Sequence, residues 1–207
     1  MSFSINHEHN WMSTLRDSLV IVSGLPRSGT SMMMKMLSAG GLEPVADNRR
    51  QADEDNLLGY FEDQRVMDLA GDNSWITAEL NGRVLKVISM LLYHLPAGLR
   101  YKVVFLRRHL DEILASQHKM LQRRGEQDSG PDDAVMSAKF NEHLEKMYAW
   151  LKKQDNFDIL YVDYAAAVAS PQECAEQVSG FLGIKMDLDA MAEAVQPSMY
   201  RNRAGQA

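Results

Sequence analysis

The sequence predicts a three-layer α/β protein, a central parallel sheet with helices on both faces. Short apolar, β-branched runs alternate with segments of helical spacing, so successive strands are joined by helical crossovers. The runs are apolar throughout, as strands buried on both faces are. The first of them passes directly into a glycine-bearing loop that opens a helix, the architecture of an anion cradle. With 207 residues the chain is one domain, 1–207, with residues 1–17 expected to form a flexible N-terminal segment.

The strands are read in order. Ser18 to Ser23 (SLVIVS) is a buried strand ending at Gly24. Arg83 to Ile88 (RVLKVI), Tyr101 to Leu106 (YKVVFL) and Phe157 to Val162 are the second, third and fourth. Thr30 to Ala39 reads as a helix stopped by Gly40-Gly41, with Met32, Met33, Met34 and Met36 as its core face. Glu62 to Ala70 reads as helical, and Arg108 to Arg124 follows helical spacing. Asp133 to Lys153 is a long amphipathic helix with Val135, Phe140, Leu144, Met147 and Leu151 inward. Ser170-Pro171-Gln172-Glu173 starts a last helix, with Ser as N-cap and Pro at the first helical position, that runs to Gly183. Residues 43–60 and 126–132 read as loops.

Composition narrows the function. Net charge is −6, which disfavours bulk nucleic-acid binding. No apolar stretch approaches the ~20 residues of a membrane span. The start of the chain, MSFSINHEHNWMSTLRDS, has no basic flank and no apolar core, so it is not read as a signal peptide, and a cytoplasmic location is expected. The single cysteine, Cys174, excludes an intrachain disulfide and a four-cysteine zinc site. His7 and His9 are close together but fall in the expected flexible N-terminal segment, His109, His118 and His143 form no ligand pattern with Cys174, and no metal is expected.

The most informative stretch is Val20 to Leu37, VIVSGLPRSGTSMMMKML. The backbone N–H groups of its loop and first helical turn converge on one anion, and the helix dipole adds positive potential. Gly29 allows close backbone approach, while Thr30 and Ser31 add hydroxyls. The spacing from Gly24 to Gly29 matches a Walker A loop, but Thr30 stands where that motif has lysine. The cation sits inside the loop, at Arg27, and the strand YKVVFL ends in Arg107-Arg108 rather than in a magnesium-binding aspartate. Such a site suits an anion neutralised by protein alone.

GLPRSGTS resembles the 5′-phosphosulfate loop of PAPS-dependent sulfotransferases. Arg108 and Ser116, eight residues apart in RHLDEILAS, resemble the family's 3′-phosphate motif. YVDYAAAVASPQECAEQVSGFLG, from Tyr161 to Gly183, is similar to its Y-x-D…P…FLG segment. The resemblance runs from about Leu19 to Arg203 and implies a P-loop-like fold of a bacterial member. It implies PAPS as cosubstrate and PAP as product. Arg27, Ser28, Gly29, Thr30 and Ser31 would hold the phosphosulfate, and Arg108 and Ser116 the 3′-phosphate, with Arg107 in reserve and Arg201 closing over it from the basic run Tyr200 to Arg203. Met32 stands where many relatives carry an adenine-stacking tryptophan.

Many relatives take the acceptor proton with a histidine two residues after a strand-end lysine. Lys86 matches the lysine, but Ile88 stands in place of the histidine. Other members use a carboxylate, and GYFE resembles a segment of bacterial members, so Glu62 is the expected base. Asp53, Glu54 and His94 follow, and Lys86 would stabilise charge as PAP leaves. A glutamate in the first turn of a helix is also explained by the dipole alone. The expected acceptor is a small or lipid-like hydroxyl (or amine) compound, held by the loops 43–60 and 122–131. Two alternatives stand beside this reading: a small-molecule kinase using ATP, and a non-catalytic protein that binds PAP or PAPS.

Overall fold

In the computed structural model, residues 15–47, 61–123, 125 and 130–195 are described. Four strands, β1 (Ser18–Gly24), β2 (Val84–Lys86), β3 (Arg100–Arg107) and β4 (Phe157–Asp163), form one parallel sheet in the order β2-β1-β3-β4. Helices are α1 (Thr30–Ala39), α2 (Leu110–Arg123), α3 (Asp133–Leu151), α4 (Tyr164–Ala169), α5 (Pro171–Leu182) and α6 (Leu188–Glu193).

The period-2 alternation of a strand sends its side chains to two cores. On one face Leu19, Ile21, Leu85, Val103 and Phe105 pack with Val66, Leu92, Met147 and Leu151. On the other Val20, Val22, Val104 and Leu106 pack with the methionines of α1, with α5 and with Met191 of α6. Every residue of β1 is buried, as its unbroken apolar run requires. Lys102 is the polar intruder among the residues of β3. Its ammonium is buried at the end of α5, donating to the Phe181 carbonyl at 3.1 Å, where the helix dipole is negative.

Element ends follow local chemistry. After α1, Gly41 takes φ 105, so that Leu42 N–H reaches the Leu37 carbonyl and Gly41 N–H the Ser38 carbonyl, a Schellman closure. At α5, Pro171 occupies the first turn as expected, but the Ser170 hydroxyl makes no capping bond.

Several elements differ from the sequence reading. The second strand is only Val84–Lys86, and Pro44 supplies a further isolated bridge to Val84. The helix expected from Glu62 to Ala70 is a 3-10 turn, Gln64–Asp68, capped by Asp63. A 3-10 helix, Ser89–His94, and the short helices α4 and α6 were not anticipated. Within α3, Val135 is exposed although its spacing places it inward. Residues 1–14, most of the expected acceptor loops, Asp53, Glu54 and Arg201 lie outside the described residues.

Candidate active site

The chain passes from β1 through α1 to β2 on one side, then crosses to β3 on the other. The sheet therefore reverses its winding between β1 and β3, and ligands of open α/β sheets bind outside the carboxyl ends of the strands at such a point. Four carboxyl ends deliver Gly24, Lys86, Arg107 and Asp163 to that edge.

The loop after β1 is built as an anion cradle needs. Gly29 is the N-cap of α1 at φ 103, and it brings no side chain to cap the first-turn N–H groups. A Cβ on Gly29 would lie 2.7 Å from Tyr164 Cε2 and closer still to Cδ2, so only glycine fits. Ser28 Oγ is buried without a hydrogen-bond partner, an arrangement that a bound anion would satisfy. Arg27 holds a left-handed φ of 67, which costs about 1–3 kcal/mol unless the surroundings enforce it.

Two contacts enforce it. Arg27 Nε donates to Ser116 Oγ at 3.1 Å, and Arg108 Nη1 donates to the Arg27 carbonyl at 3.1 Å. Residues expected to serve two separate anionic groups thus join in one network, with Arg27 spanning them. Arg108 is further held by Glu112, Nε to Oε2 at 2.9 Å, and its guanidinium lies 4.4 Å above the Tyr164 ring. Burial pushes the Tyr164 phenol above its ordinary value, with Arg108 pulling the other way, so the ring is a neutral platform at pH 7.

On the β2 side, Lys86 Nζ donates to Ser31 Oγ at 3.1 Å and to Glu62 Oε1 at 2.9 Å. Lys86 is buried and Glu62 is 39% exposed. The helix-dipole explanation of Glu62 fails here. The 3-10 turn starts at Gln64 with Asp63 as its cap, so Glu62 lies outside the turn and faces the phosphate loop through Lys86. Ile88 is half-buried, and His94 is an exposed residue ending the 3-10 helix. Burial pushes the Cys174 thiol up to about 11, which leaves it a packing residue. Among the described residues no three His, Cys, Asp or Glu side chains cluster as a metal site requires, and no helix is long and apolar enough to cross a membrane.

Residues 17–204 match the family described as the sulfotransferase domain. The chain belongs to the sulfotransferase family. Its members are transferases, and this chain is an enzyme of that class. Solved structures agree in fold. The sulfotransferase domain of the Synechococcus PCC 7002 olefin synthase matches with a TM-score of 0.56 at 16% identity, over 92% of this chain and 89% of that one. A Mycobacterium tuberculosis sulfotransferase gives 0.52 at 17%, over 86% and 70%. A mouse sulfotransferase complexed with PAP gives 0.51 at 15%, over 92% and 68%. No curated protein matches the sequence significantly.

Two residues that pack into this candidate site escaped the sequence reading. Glu112 stands four residues after Arg108, a spacing that reads as a surface ion pair until its burial is known. Tyr164 directly follows the Y-x-D motif, where nothing in the local pattern indicates that it packs beneath Arg108 and against Gly29.

Proposed function

We propose that the protein, acting as a single domain, transfers a sulfuryl group from PAPS to a hydroxyl or amine of a small or lipid-like acceptor. The observation that carries this reading is the Glu62–Lys86–Ser31 chain, which ties a carboxylate to the phosphate loop. The orphaned Ser28 hydroxyl, the uncapped first turn of α1 and the arginine pair fit an anionic nucleotide with two charged groups. PAPS, when bound, supplies the sulfuryl group, and PAP is what remains.

Residues 27–31 hold the phosphosulfate end, and Arg108 with Ser116 holds the 3′-phosphate. Glu62 accepts the acceptor's proton at its carboxylate. Lys86 and Arg27 supply positive charge where the leaving phosphate oxygen becomes negative. An apolar acceptor body is supported by the cluster around Leu25 of the loop, where Met90, Leu110, Met136 and Leu144 are only partly buried against Ile113, Leu114 and Phe140. A cytoplasmic, bacterial enzyme is consistent with the reading. The test is sulfation from PAPS across phenols, alcohols and amines. Turnover with PAPS supports the reading, turnover with ATP alone supports a kinase, and PAP binding without any turnover supports a non-catalytic role.

PAP is expected to bind about ten- to a hundred-fold more tightly than AMP in calorimetric titration, the worth of one charge-assisted contact to the 3′-phosphate. Equal affinities would remove Arg108 and Ser116 from nucleotide recognition. PAP affinity is expected to survive EDTA, because Arg27 and Arg108 stand in for a cation. Affinity that vanishes on chelation and returns with magnesium would return the site to the kinase reading.

A further inference from the structure

Glu112 is a costly residue where it stands. Its side chain is 3% exposed and that of its partner Arg108 is 7% exposed. A buried ion pair of this kind adds little stability over apolar side chains of similar volume. It does fix direction. Arg108 is constrained at Nε by Glu112, at Nη1 by the Arg27 carbonyl and on its face by the Tyr164 ring. Its freedom is spent before a ligand arrives, which is preorganisation.

The spacing on α2 carries the same design further. Arg108 lies two residues before α2, while Glu112 and Ser116 stand four residues apart on it and so share one helical face. Glu112 holds Arg108 while Ser116 accepts from Arg27, so one face of α2 orients both arginines. Glu112 sits in the first turn of α2, where the dipole favours its negative charge. With Nε given to Glu112 and Nη1 to the Arg27 carbonyl, the direction in which the Arg108 guanidinium meets a phosphate is set by the protein.

We infer that Glu112 is a positioning residue that aims Arg108 and thereby sets the preference for a nucleotide carrying a 3′-phosphate. The inference rests on the proposed assignment of Arg108 to that phosphate. Its readout is the ratio of PAP to AMP affinity, which a merely structural role would leave alone because both ligands would weaken together.

Two conservative variants separate aim from charge. Glu112→Asp keeps the charge and withdraws the carboxylate by one methylene, and the PAP:AMP ratio is expected to fall to about threefold or less, with AMP affinity nearly unchanged. Glu112→Gln keeps the reach and the acceptor oxygen but loses the charge, and the ratio is expected to stay within about threefold of wild type. A Glu112→Asp protein with the wild-type ratio overturns the inference, as does a parallel loss of both ligands. A Glu112→Gln protein that loses the ratio also overturns it, and this variant alone keeps the idea falsifiable should Glu112→Asp not fold. The double variant Arg108→Met with Glu112→Met removes both buried charges together. If it still prefers PAP, the assignment of Arg108 to the 3′-phosphate fails, whatever the Glu112 variants show.

Discussion

Glu62→Gln is expected to reduce sulfuryl transfer by about 10²–10⁴-fold, the usual contribution of a general base, and to leave PAP affinity nearly unchanged. The substitution keeps size and shape, and the amide oxygen can still accept the Lys86 bond seen at 2.9 Å. What it loses is the capacity to take a proton at neutral pH. Lys86 remains attached to Ser31 in either case, so the phosphate loop keeps its support. Turnover with a working acceptor and calorimetry with PAP, run on the same preparation, test this. Full turnover would eliminate Glu62 and direct attention to Asp53, Glu54 and His94. Loss of PAP binding together with turnover would mean that the Glu62–Lys86 pair builds the loop rather than moves the proton.

The fold was legible where local pattern and tertiary role coincide. The strand β1 is an apolar run because it is buried on both sides, and the termini of α1 and α5 are marked by the glycines and proline that their geometry demands. The short helices α4 and α6 have six residues each, too few for a helical period to stand out. Both are capped by an aspartate, Asp163 and Asp187, but Asp163 is also the last residue of β4, which hid its second role. The 3-10 helix Ser89–His94 is likewise only six residues long, too short for a period to show.

The site was legible in its parts and not in its connections. The loop, the strand-end Arg108 and the helical Ser116 each carry a local signature. Their joining does not: Arg27 meets Ser116 across 89 residues, Arg108 meets Arg27 across 81, and Lys86 meets Glu62 across 24. The order of strands in the sheet creates these contacts, and a linear spacing has no means of expressing that order. Glu62 shows the consequence most sharply. The helix-dipole reading of it could be set aside only by seeing that the 3-10 turn begins after it.

Gly29→Ala is expected to be among the most damaging single-methyl additions in the chain. The left-handed φ of 103 costs a residue with a Cβ about 1–3 kcal/mol, and the contact with the Tyr164 ring adds an overpacking cost of about 1–3 kcal/mol. The sum corresponds to a fall in melting temperature of roughly 5–20 °C for a domain of this size. PAP affinity should fall as well, because Tyr164 also supports Arg108, and a ring displaced by the new methyl disturbs both ends of the arginine network. Gly29→Ala combined with Tyr164→Ala separates the two causes. Removing the ring relieves the clash but not the backbone strain, so the double variant should lose less stability than the two single losses added together. Strict additivity would mean that the methyl and the ring do not meet, and that the demand for glycine at position 29 is a matter of backbone conformation alone.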